Sequence, residues 1–251
     1  MKKVLTLMLV STLVLAAGCL TDSGDDNKDN GDSTTLSAAD YLPLETGSIW
    51  MYNDTDTDYS QSPPDVDIST SSMTCTGQET INGKTYWALV ETDSDEPFFL
   101  RIDNNDVYGI DVFEDILEKP ALKGLQEEGE MLLFRFGVSA GTTWEIWSYS
   151  YSEDQYSWSI TMSGKYLGTE SVTVPADSYS NCAKFEITTT SSYSYGGYSL
   201  PETGTSKTTM WFAPDVGPIK TIDDSTYEDI IDYTYESVLT SYTPGGSATP
   251  Q

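Results

Sequence analysis

Forty acidic residues and no histidine bound the chemistry open to this chain of 251 residues. Without an imidazole there is no Ser-His-Asp triad, no Cys-His pair and no histidine-ligated zinc. Carboxylate chemistry survives that exclusion. Glu79 and Glu170 occupy matching contexts, Gly77-Gln78-Glu79 and Gly168-Thr169-Glu170. A glycoside hydrolase needs two carboxyls about 5 to 9.5 Å apart in distinct environments. Both glutamates read instead as strand starts, where pairing with Lys84, Lys165 or Lys184 is the plainer role, so no catalytic residue is assigned. Asp54, Asp56 and Asp58, with Asp65 beyond them, offer the hard oxygen ligands that Ca²⁺ takes. Tyr59 stands where a calcium loop requires Gly, and Pro63-Pro64 breaks the remainder of such a loop. In a strand these aspartates share one face, which suits a solvated sheet edge. The expectation is therefore no metal and no cofactor.

Aromatic side chains are the other candidate. Trp147, Tyr149 and Tyr151 alternate with small or polar residues, and so do Tyr156, Trp158 and Ile160. A hairpin turning at Glu153-Asp154 would set Tyr151 opposite Tyr156, Tyr149 opposite Trp158 and Trp147 opposite Ile160. Each such cross-strand pair stabilises a sheet by roughly 0.2–1 kcal/mol. The strip is either a ladder facing the core or a stacking platform for a sugar or another flat ligand.

The N-terminus sets the compartment. Met1-Lys2-Lys3, an apolar run from Val4 to Leu15, and then Ala16-Ala17-Gly18-Cys19 resemble a bacterial lipoprotein signal. The resemblance implies removal of residues 1–18 and acylation of Cys19. The apolar run is too short to span a bilayer, which takes about 20 residues, whereas two acyl chains suffice for stable anchoring. Leu20 follows the cysteine where an Asp would retain the protein in the inner membrane. This implies a cell-envelope location at the outer membrane, on its periplasmic or surface face. Cys75 and Cys182 are the remaining thiols. Outside the cytoplasm they either form a disulfide or stay as separate buried thiols, and neither has the basic neighbours that activate a nucleophile.

Charge narrows the partners. Loss of Lys2 and Lys3 leaves 10 basic residues against 40 acidic ones. Such a chain repels nucleic acid and anionic headgroups, so the membrane is met through the lipid anchor alone and no nucleic acid is expected. Residues 19–40 are acidic and rich in Gly, Ser and Asn, and read as a disordered tether with a reach of about 25 Å. Residues 243–251 read as a disordered tail.

Between these ends, about 210 residues rich in Val, Ile, Thr, Tyr and Trp point to β-sheet. Four segments recur in order. Leu44–Trp50 is echoed by Val138–Trp144, and Gly77–Ile81 by Gly168–Val172. Tyr86 with Ala88 is echoed by Tyr179 with Ala183, and Leu100–Ile110 by Trp211–Ile219. Two tandem repeats, about 44–112 and 138–222, then supply five strands each, joined by turns such as Asn82-Gly83 and Asn104-Asn105. Residues 113–128 form the one plausible helix, and a last strand runs near 230–242. The expected fold is an all-β antiparallel domain over 41–242, barrel-like or a sandwich.

The segments YLPLETGSIWMY (41–52), GQETINGKTYWAL (77–89), VTVPADSYSNCAKFE (172–186) and WFAPDVGPIK (211–220) resemble a family of bacterial lipoproteins and secreted β-proteins. Its stretches read Y-x-P-L-x-x-G-x-x-W-x-Y, V-T-V-P-A and W-F-A-P-x-V-G. Asp177 departs from the pattern, where a glycine often follows the Pro-Ala pair. The resemblance implies an antiparallel, barrel-like fold in the cell envelope and lends no catalytic residues. Taken together, the residues point to a non-enzymatic envelope lipoprotein with a binding or structural role. Alternatives are a carrier or sensor for a hydrophobic or carbohydrate ligand and, less well supported, a glycoside hydrolase.

Overall fold

The computed structural model describes residues 37–246 apart from 93, 95, 111–128, 154, 196–197, 200–203 and 228–229. The signal peptide, Cys19, most of the tether and the expected helix at 113–128 lie outside the described residues. The ordered fold starts before residue 41. Ala38–Tyr41 make one helical turn, α1, with Ala38 fully buried.

The strands are β1 (Ile49–Asp58), β2 (Asp65–Ile81), β3 (Lys84–Glu91), β4 (Phe98–Asp103), β5 (Asp106–Ile110), β6 (Met131–Arg135), β7 (Thr143–Glu153), β8 (Tyr156–Thr173), β9 (Ser178–Tyr195), β10 (Tyr198–Ser199), β11 (Gly204–Ala213), β12 (Gly217–Tyr227) and β13 (Ile230–Thr243). Twelve of them follow one another in a single antiparallel sheet, with β10 paired to β9 alone. Along this path each strand pairs with the next in the chain, β11 pairing past β10 with β9, while the chain's ends join as β1 pairs with β13 and the chain neighbours β6 and β7 stay unpaired. The two ends of this path are β6 and β7. They meet without a ladder, and the Trp144 indole Nε1–H of β7 donates to the Leu132 carbonyl of β6 at 3.1 Å. The sheet thereby curls into a nearly closed barrel, not a sandwich.

Strand alternation decides which side chains enter the barrel. Along β1, Trp50, Tyr52 and Asp54 are buried, while Met51 and Asn53 between them are exposed. At one end of the interior, Phe134, Phe136, Phe185 and Phe212 from β6, the segment after it, β9 and β11 pack at centroid distances of 4.8–6.1 Å, edge-on or tilted. Such aromatics fill a wide interior that aliphatic side chains would leave open. α1 closes this end. The Asp40 carbonyl accepts from the Asp215 amide at 2.7 Å, the Tyr41 hydroxyl donates to the Asn181 carbonyl at 2.6 Å, and the Ala38 amide reaches Asn105.

The two halves share their hydrogen-bond pattern around the strand entries. Gly47 and Gly141 have φ of +88° and +87°, which only glycine adopts without strain. The Gly47 amide donates to the Cys75 carbonyl at 2.8 Å, and the Cys75 amide returns to Ser48. The Gly141 amide donates to Tyr166 at 2.7 Å, and Tyr166 returns to Thr142. Bulges occur at the same step, between Cys75 and Gly77 in one half and Tyr166 and Gly168 in the other. Each half runs to six strands, not the expected five, because β6 and β13 complete them. β8 runs unbroken through its bulge at Gly168, and the chain end is held as far as Gly246 by Gly245 donating to Ser48.

Trp50 is fully buried, and its Nε1–H donates to the Val216 carbonyl at 2.6 Å, while Trp144 is 7% exposed. Alanine at either position is expected to cost about 3–5 kcal/mol in urea unfolding, the range for removing a large buried aromatic. A β-carbon on Gly164 would lie 2.3 Å from Cε2 of Trp144. Gly164→Ala alone should therefore destabilise strongly, but add little on top of Trp144→Ala, which a double-mutant cycle would show.

Candidate functional site

Above the phenylalanine layer the barrel keeps a cavity of about 120 Å³. Trp50, Met73, Leu89, Leu100, Phe134 and Phe212 give it apolar walls. Most of the remaining lining is apolar too, and a polar minority interrupts it, with Glu91 from β3, Asp223 and Thr221 from β12, Tyr235 and Ser237 from β13, and Thr208 from β11. The same alternation that delivers the core residues delivers these. Glu91 shares the phase of Leu89 in β3, and Asp223 that of Ile219 in β12. Register aligns Asp223 with Tyr235 and Tyr235 with Asp56, so acid, phenol and acid follow one another across three strands.

Burial shapes the protonation of this wall. Desolvation, with the Asp54 charge adding to it, pushes the Glu91 carboxyl up to about 8. Asp223 is pushed up to about 7, mainly by burial, although Ser206 donates to its Oδ1 at 3.0 Å and favours the charged form. Asp54 is 3% exposed and accepts from the Tyr235 hydroxyl at 3.0 Å. Tyr233 donates to Asp56. Burial and these carboxylates hold both phenols well above their ordinary range. Ser237, 2% exposed, faces the cavity with an Oγ that has no hydrogen-bond partner among the described residues.

The aspartate run of β1 thus does share a face, but not that of a solvated edge. β1 is paired on both sides, by β2 and β13, and the face that carries Trp50 and Tyr52 buries Asp54 as well, sets Asp56 against the Tyr233 hydroxyl, and ends at Asp58, which accepts from the Ser60 amide in the exposed turn. Among the described residues no three acidic or thiol groups converge as a metal's ligand set. Glu79 and Glu170 are not brought together. They lie on β2 and β8, which are not neighbours in the sheet, and Glu170 is taken up by the Trp211 indole and by Lys184 at 3.1 Å. Cys75 and Cys182 are fully buried free thiols, each pushed up by desolvation, and no disulfide joins them.

The aromatic strip is paired two residues away from the expected register. Glu153 faces Tyr156, Tyr151 faces Trp158, Tyr149 faces Ile160 and Trp147 faces Met162. Pairing runs on to Glu153 and Tyr156, so the centre of the hairpin lies one residue later than expected, and that single step shifts each cross-strand partner by two. Trp147 stacks on Tyr149 at 6.2 Å, and Tyr149 meets Trp158 edge-on at 5.7 Å. Ile160 and Met162 belong to the interior, while Tyr151 and Tyr156 are 45% and 49% exposed. Sequence reasoning missed Glu91 and Asp223. Both fall within or beside strands it placed, at phases set by apolar neighbours, and that phase was the signal available.

In the folded protein, Glu91 and Asp223 keep protons that an unfolded chain has lost. Their folded values exceed ordinary carboxylate ones, so the native state binds more protons between about pH 4 and 8, and their contribution to stability falls as pH rises through that window. Glu91→Gln should be close to neutral at pH 4.5 and stabilising at pH 8.5 by on the order of 2–4 kcal/mol. Urea unfolding of both proteins at the two pH values checks the difference.

No protein-family model and no curated protein matches the chain. Among solved structures it is similar to a candidate lipoprotein from Parabacteroides distasonis ATCC 8503, at 17% identity and a TM-score of 0.48. It is also similar to a candidate exported protein with a YmcC-like fold from Bacteroides fragilis NCTC 9343, at 10% identity and a TM-score of 0.40. Each likeness covers 81% of this chain and 98% of the other.

Proposed function

We propose that this chain is a non-enzymatic lipoprotein of the cell envelope that binds a small ligand inside its barrel. The observation that carries the reading is the cavity, where apolar walls meet a cluster of oriented, buried polar groups, the usual composition of a small-molecule site. The space is about 120 Å³, somewhat less than the engineered apolar cavity of about 150 Å³ that binds benzene. A long acyl chain therefore does not fit, and the ligand is a ring or a short chain. The matching strand order and matching glycine hydrogen bonds of the two halves support an origin by tandem duplication. The Lys2-Lys3, apolar, Ala-Ala-Gly-Cys19 order supports the lipid anchor.

Trp50 lines the cavity and reports on it. Titration with small ring compounds should change tryptophan fluorescence saturably, and Met73→Trp, which fills the space, should abolish the change. Absence of saturable binding by any such compound would return the protein to a structural role. Separately, Cys19→Ala should abolish palmitate labelling and release the protein from the membrane fraction. Unchanged labelling would overturn the anchor.

A further inference from the structure

The cavity's acids have no basic counterpart. Glu91 and Asp223 line it, Asp54 is held beside them by Tyr235, and no Lys or Arg among the described residues faces the space. The ion pairs of the described residues join other groups, such as Lys84 to Glu130, Arg135 to Asp106, Lys184 to Glu170 and Lys220 to Glu236. Among the described residues the half-buried Glu91 carboxyl meets neither a hydrogen-bond donor nor a cation, and the fully buried Ser237 hydroxyl is without a partner. Unpaired buried polar groups are costly unless something satisfies them. An anion would oppose the Asp54 charge and drive the Glu91 and Asp223 carboxyls further towards their neutral form, and a neutral hydrocarbon would leave them all unmet. A small metal ion would need convergent ligands, whereas these acids are spread along a wall that apolar side chains face.

Resting on the reading that the barrel holds a ligand, we infer that this ligand is a small hydrophobic amine. Its ammonium sits by the Glu91 carboxyl with Asp54 and Asp223 nearby, and its hydrocarbon part lies against Met73, Leu100 and Phe212. An ammonium donates up to three hydrogen bonds and bears one positive charge, so it meets Glu91 and the Ser237 oxygen together. The rings of Trp50, Tyr52 and Tyr235 add the attraction of aromatic faces for a cation. The raised Glu91 value describes the empty site, and a bound cation would bring the carboxyl back to its ionised form.

The test uses the full chain and three probes of similar shape that the cavity can hold, n-butylamine, 1-butanol and pentanoate, in calorimetry at about 0.15 M salt. The amine is expected to bind at least about tenfold more tightly than the alcohol, and the carboxylate not at all. Glu91→Gln, which keeps the side chain's shape, should weaken the amine about tenfold and leave the alcohol within about twofold. Met73→Trp should abolish both, with far-UV circular dichroism verifying that the variant is folded. Alcohol binding as tight as amine binding would overturn the choice of an amine while the barrel still holds a ligand. Amine binding that survives both substitutions would be condensation on an acidic surface and would also overturn it. Failure of all three probes to bind would overturn the barrel reading itself.

Discussion

A sheet of twelve strands encloses more space than a few aliphatic side chains can fill, and the rest of this structure depends on how the space is divided. Four phenylalanines, with Trp50, Trp144 and Tyr166, occupy one end. α1 and the turns at Asn105, Asn181 and Asp215 close it with hydrogen bonds to both halves of the sheet. The remaining volume is a cavity whose mostly apolar walls carry a few polar side chains. Burial at the filled end holds the barrel open at the other, because the aromatic layer sets the spacing of the walls that Asp54, Glu91 and Asp223 look across.

The outer surface shows the complementary arrangement. Glu130 accepts from Lys84, Tyr86 and Arg101, which lie on β3 and β4, and the Arg101 guanidinium stands over the Tyr108 ring of β5 at 4.6 Å. These donors hold Glu130 at about 2, far below the usual carboxylate range, led by the Arg101 hydrogen bond. In the other half, Lys184 and Lys220 lie over Trp211 while pairing with Glu170 and Glu236. Scarce basic residues are thus spent on the wall's exterior, and the interior acids are left without them.

Much of the fold was legible in the sequence because its signals are local. Period-two patterns, the Asn82-Gly83 turn and the glycine before each strand-entry tryptophan locate strands without knowledge of their partners. The recurrence of Leu44–Trp50 as Val138–Trp144 marks entries that share one hydrogen-bond pattern. The candidate site was less legible. The face of Asp54, Asp56 and Asp58 could be read as shared, but its direction depends on β13 covering β1, a contact between chain ends that no local pattern announces. Glu91 and Asp223 come together only through the closure of the barrel. The aromatic hairpin shows how little is needed to mislead, since one residue of difference at the turn re-partners every ring.

The pairing of β1 with β13 also has a consequence in time. Ile49 pairs with Thr243, so the first strand made must wait for the last before the barrel closes. At typical synthesis rates that wait is roughly ten seconds or more, during which a long strand edge lies unmatched. Exposed edges of this kind recruit other chains, and charges pointing inward are one way that natural sheets discourage it. Asp54, Asp56 and Asp58 place a carboxylate at every second residue of the waiting strand, so two such chains repel before they can zip together. The strand's acids thereby act earlier as guards of solubility, until the arrival of Tyr233 and Tyr235 ties Asp56 and Asp54 into the wall.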